Sequence, residues 1–151
     1  MSNHRTIVSQ TRSWLQHQYE LAQLCNEAPE ADASRHLRAL YALLRTSPCP
    51  TWLEGLAVPD KTRFEAMLLA GCPTEAALSL LGRDCGFMHS RGSEGRHLAS
   101  IILPGRMEEA TASGESAALA IAAALSLSLC DLPMLPGEAA DLHDGPDLRL
   151  N

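Results

Sequence analysis

The stretch that decides the fold is GFMHSRGSEGRHLASIILPGRMEEATASGESAALAIAAALSLSLC, residues 86–130. Phe87–Ser90 and His97–Leu103 both suit extended chain, and Gly92 to Gly95 supply turn residues between them, so the pattern predicts a β-hairpin. Two strands are marginal in water and need a further strand or a helix against them. The cover is expected from a helix over about Glu115 to Cys130, which is Ala-rich and apolar nearly all round, the mark of a central element. Between hairpin and helix, Ala110-Thr-Ala-Ser113 reads as a linker, and Glu108 and Glu109 as the solvated start of the final helical segment. The apolar run from Ala117 to Cys130 contains Ser126 and Ser128 and falls short of the ~20 residues a membrane span requires.

Working back toward the N-terminus, Ile7, Val8, Thr11, Trp14, Leu15, Leu21, Ala22 and Cys25 recur at helical steps and predict a first helix over about Arg5 to Glu27. Its other face is polar, with Gln10, Gln16, Gln18 and Gln23. A second helix is expected from a cap at Asp32 or Ser34 to Arg45, with Leu37, Leu40, Tyr41 and Leu44 on one face. Joined by a short turn at Pro29, the two form a helical hairpin. Pro48, Pro50, Gly55 and Pro59 forbid a long element over 46–59, where Trp52, Leu53 and Leu56 pin a loop to the core. Asp60 caps a short third helix closed by Gly71, and Pro73 opens a fourth closed by Gly82.

The expected fold class is therefore α+β and predominantly helical: an N-terminal helical hairpin, two short helices, and one β-hairpin packed on an Ala/Leu-rich C-terminal helix. This domain spans residues 1–132, and an acidic, Pro/Gly-containing arm follows at 133–151, with Glu138, Asp141, Asp144 and Asp147 spaced three apart as candidate partner-binding residues. At 151 residues the chain can bury a core without staples. Only 4% of it is aromatic, so Leu, Ala, Ile and Met must fill that core. The net charge of −6 falls entirely in residues 59–151. Phosphate-gripping proteins usually carry the opposite sign, which disfavours nucleic acid as a partner. Five cysteines, an odd number without a C-x-x-C pair, and a polar start without a secretory signal point to reduced thiols and a cytoplasmic location, with no membrane partner.

Chemistry concentrates around the hairpin. Arg83, His89, Arg91, Arg96 and His97 are candidates for binding an anion or a partner near a Gly-rich turn, against the ordinary alternative of a solvated hairpin tip. Cys85-x3-His89 is a weak metal or nucleophile–base pair, because Cys72 and His97 stand at unorthodox distances and no orienting third group is placed. Neither a metal, nor a cofactor, nor catalysis is expected.

Two stretches carry resemblances. Residues 63–82, two short helices around Gly71 with Ala76 and Ala77 at their crossing, resemble the first two helices of a phage-type helix-turn-helix. That resemblance implies a polar recognition helix next, whereas Arg83-Asp-Cys-Gly86-Phe87 turns extended. Residues 77–129 resemble in layout the small phage and prophage proteins of the ABA-sandwich type, which implies that fold and a phage or accessory-element context, with no site residues to carry over. The expected function is a non-enzymatic protein-interaction module, an inhibitor or counter-defence protein binding a protein partner. A helix-turn-helix DNA-binding regulator is the alternative, and a small Cys/His metal-site protein or enzyme the second. An unpaired hairpin edge further predicts a homodimer through residues 96–103.

Overall fold

The computed structural model describes residues 2–130 of the chain. The arm expected at 133–151, with Glu138, Asp141, Asp144 and Asp147, lies outside the described residues. The elements are α1 (Ser2–Glu27), α2 (Ala33–Arg45), α3 (Lys61–Leu69), α4 (Pro73–Ser79), β1 (Gly86–Arg91), β2 (His97–Ile102), β3 (Ala110–Gly114) and α5 (Ala117–Cys130). The α+β class and the sheet packed on the C-terminal helix are as the sequence predicts.

The axis of the fold is α5. Every residue from Ala118 to Leu129 is buried, because the helix meets the sheet through β2 and β3 on one side and α1, α2 and α4 on the others. Burying its Leu and Ile side chains at ~2 kcal/mol each makes α5 worth on the order of 10 kcal/mol before chain entropy is counted. Ser116 caps it, accepting from the Leu119 N–H at 3.2 Å. Gly114 lets β3 lie close on the helix start: a Cβ there would stand 2.7 Å from the Ala120 nitrogen. The layers run sheet, α5, then the remaining helices. Among the described residues the sheet is thus an outer layer.

The sheet has three antiparallel strands in the order β1-β2-β3, so Ala110–Ser113, expected as a linker, is a strand. Glu108 and Glu109 precede that strand and do not open the final helix. Short Ala, Thr and Ser side chains hide the alternation that normally marks a strand. Here Ala112 and Gly114 face in while Thr111 faces out. The third strand also corrects the expected dimer edge. Residues 97–102 pair with β1 on one side and β3 on the other, so the edge strands are β1 and β3, and of these β3 packs on α1.

A second correction concerns α1. Its buried side chains include Thr11, Trp14, Gln18, Leu21, Ala22 and Cys25, whereas Ile7 is exposed. Gln18, expected on the polar face, is fully buried. Asp32 occupies the N-cap position of α2, after a 3-10 turn at Glu30–Asp32, but its side chain makes no capping bond and pairs with Arg35 at 3.1 Å, while Ser34 lies inside the helix. The 46–59 loop is pinned as expected. Trp52 packs on Trp14 with centroids 5.7 Å apart, and the Tyr41 hydroxyl donates to Pro59 O at 2.8 Å. Leu56 bridges Leu81, and a Cβ on Gly82 would fall 1.7 Å from Gly55 O, so two backbones touch there.

Candidate functional site

The β1–β2 hairpin closes through Gly92 N–H donating to Arg96 O at 2.8 Å and Gly95 N–H donating to Gly92 O at 3.0 Å. Gly95 takes φ +88°, the left-handed position that such a three-residue loop gives to glycine. Register then sorts the side chains. Phe87, His89 and Arg91 stand opposite Ile101, Ala99 and His97 on the face that α5 covers further in. Met88 and Ser90 stand with Ser100 and Leu98 on the open face. The buried positions of this layer are Ala99, Ile101, Ala112 and Gly114 of β2 and β3, while all six residues of β1 are exposed. Phe87 is 41% exposed, Met88 64% and Leu98 44%.

Two candidate residues meet here. His89 Nε2 and His97 Nδ1 lie 2.8 Å apart, with the rings stacked at a centroid distance of 5.0 Å. They are diagonal neighbours across the hairpin, and a hydrogen bond between them requires one of the two facing nitrogens to be unprotonated and accept from the other. The His97 imidazole is held below its ordinary pKa, first by partial burial and then by the repulsion of His89 and Arg91, with Glu30 pulling the other way.

Arg96 serves a structural end. Its guanidinium donates to Asn26 O at 2.8 Å, Asn26 Oδ1 at 3.2 Å and Ser113 Oγ at 3.2 Å. Asn26 is in the last turn of α1, where carbonyls lack helical partners and a cation is favoured. Arg96 thus fastens the hairpin base and β3 to the end of α1. Arg83 sits in the exposed turn before β1, with the full length of that strand between it and Arg91, so the five candidates form no single basic stripe.

Cys85 and His89 do not meet. Four residues along extended chain separate them by ~13 Å. The Cys85 thiol lies 3.4 Å from Gly55 O, and desolvation raises its pKa, the nearby Asp84 adding to the shift and a Gly82 backbone hydrogen bond opposing it. Among the described residues, no three His, Cys, Asp or Glu side chains are placed to hold a metal ion, and no helix is long and apolar enough to cross a membrane. After α3 and α4, residues 83–91 form a turn and a strand, so the recognition helix implied by the resemblance of 63–82 is not formed there. α4 itself buries Ala76 and Ala77 and packs on α5.

The residues that sequence reasoning missed are Phe87 and Met88. They read as ordinary strand residues, and only the position of β1 beyond the cover of α5 exposes them. No protein-family model, curated protein or solved structure matches this chain.

Proposed function

We propose that the chain is a non-enzymatic protein-interaction module that recognises its partner through β1. The observation that carries this reading is an edge strand exposed at every position although it holds Phe87 and Met88. Edge strands are usually blunted by lysine, proline, a bulge or a covering element. β1 has neither lysine nor proline, its one permanently charged side chain, Arg91, stands at the turn end, and its described neighbours cover only its β2 side. Such an edge takes an added extended segment: main-chain hydrogen bonds supply affinity, and alternate side chains supply selectivity. Here the alternate set is Phe87, His89 and Arg91 on one face, with Met88 and Ser90 on the other.

The phage or accessory-element setting is drawn from the sequence resemblance of residues 77–129 alone. Within it, an inhibitor or counter-defence role suits the net charge of −6, since an acidic protein can compete for a basic channel on its target. The test is capture from a lysate with and without nuclease, comparing the wild-type chain with a Phe87→Ser/Met88→Ser variant. A stoichiometric protein that survives nuclease and is lost with the variant supports the reading. Undiminished capture by a folded variant overturns β1 as the site. Recovery of nucleic acid, with protein partners lost on digestion, supports the DNA-binding regulator instead.

A further inference from the structure

We infer that β1 pairs antiparallel with β1 of a second copy, about a twofold axis at His89, to make a continuous six-stranded sheet. The inference rests on β1 being a recognition edge and names one occupant of it.

The register follows from the hairpin. Gly92 and Arg96 form a hydrogen-bonded position. Antiparallel ladders alternate hydrogen-bonded and non-hydrogen-bonded pairs. With Arg91 opposite His97 and Ser90 opposite Leu98, the residues of β1 that bond to β2 are Gly86, Met88 and Ser90. Phe87, His89 and Arg91 direct their N–H and C=O groups outward. Among the described residues these six backbone groups face no strand.

Antiparallel partners on one sheet face must have matching parity, so a twofold axis must pass through a residue. Centred on His89, the pairing sets His89 against His89 of the second copy and Phe87 against its Arg91, twice by symmetry. All six outward groups then bond. Centring on Met88 leaves Arg91 unmatched, and centring on Ser90 leaves Phe87 unmatched. The side chains agree with the same register. Each Arg91 guanidinium meets the ring of Phe87 across the seam, an attractive cation–π contact. The two Arg91 charges are kept apart at opposite ends of the strand pair. On the open face Met88 meets Ser90.

The size of the contact sets its strength. Two six-residue strands bury less than the ~800 Å² per partner of a stable complex. The dimer is therefore expected to be weak and concentration-dependent.

The experiment is sedimentation of the full chain from about 5 to 500 μM, with His89→Pro as the edge-blocking variant. The His89 N–H points away from β2, so proline there removes no bond of the hairpin. Circular dichroism of His89→Pro should match the wild type while its dimer is lost. Met88→Pro, whose N–H bonds to β2, should damage the fold instead. Register is read by oxidation: His89→Cys should form an intermolecular disulfide across the axis, and Met88→Cys should not. A wild type that stays monomeric at 500 μM overturns the inference, as does a dimer that persists in folded His89→Pro. Cross-linking through Met88→Cys in preference to His89→Cys overturns the register. A wild type that captures a protein partner yet shows no self-association would refute this inference and leave the interaction reading standing. A folded Phe87→Ser/Met88→Ser variant that captures as well as the wild type would refute that reading itself.

Discussion

Gln18 is fully buried on α1, and neither its amide nitrogen nor its amide oxygen has a hydrogen-bond partner. The α1–α5 pair runs antiparallel, with Cys130 meeting Leu15 O at one end. One turn along α1 from Leu15 is Gln18, and one turn back along α5 from Cys130 is Ser126, whose hydroxyl is also buried without a partner. Replacing Gln18 with Met keeps the length and the helix propensity of the side chain while removing both polar atoms. Burying an unpaired amide costs ~1–3 kcal/mol by mutational measures, so Gln18→Met should stabilise the protein by about 1–2 kcal/mol. For a domain of this size that corresponds to a rise in Tm of roughly 3–6 °C. Urea unfolding followed by circular dichroism should show a higher midpoint at unchanged slope. Gln16→Met, at an exposed position bonded only to Glu20, should shift stability by less than ~0.5 kcal/mol. Destabilisation by Gln18→Met would refute the reasoning, because it would mean that the amide is hydrogen-bonded in solution. Ser126→Ala would then be the variant that reveals whether the two groups serve each other.

Gly82→Ala forces a side chain into the backbone contact at Gly55 O and should cost at least ~2 kcal/mol, read as a lowered urea midpoint. Arg96→Ala should lose about 1 kcal/mol and speed amide exchange at the end of α1 and in β3, with Arg96→Lys restoring part of it. His36 is buried, and its pKa is lowered by desolvation and then by Arg35, against Asp32. A folded pKa below the unfolded value means stability is complete above about pH 6.5 and declines as pH falls, because the unfolded chain takes the proton first. His36→Gln should flatten that decline in midpoints measured between pH 7.5 and 5. Burial pushes the Cys25 thiol up to about 12. The folded chain therefore holds that proton longer, and stability should fall as pH rises above about 9, while a thiol reagent at pH 8 should leave Cys25 unlabelled until denaturant is added.

Much of the scaffold was legible in the sequence because its signals are local. Asp60 caps α3 by accepting from Arg63 N–H at 2.8 Å, Pro73 opens α4, and the apolar circumference of Ala117–Cys130 marks a helix covered on every side. β3 was not legible, because alanines and a glycine on its inner face carry too little hydrophobic contrast to reveal a period of two. Gln18 is not legible for the converse reason: its polarity reads as solvent-facing, while the packing of α5 on α1 decides what is covered. Of the candidate site, the hairpin, its turn and the nearness of His89 to His97 follow from strand spacing. The diversion of Arg96 to the end of α1 and the exposure of Phe87 and Met88 depend on contacts between segments far apart in sequence, for which no local pattern exists.

The place of α5 in the chain has a consequence for how the protein is made. The helix against which α1, α2, α4, β2 and β3 all pack is translated after every one of them. Until residue 130 clears the ribosome, α1, α2, α4 and β2 lack the helix they share, and a nascent chain stopped at Gly114 holds about two thirds of the buried apolar residues without the element that joins them. Synthesis at ~5–20 residues per second leaves those earlier segments waiting for seconds with apolar faces open. Chaperones that bind exposed apolar segments would meet this protein through its N-terminal helices during that interval, and release would coincide with the arrival of the alanine-rich helix.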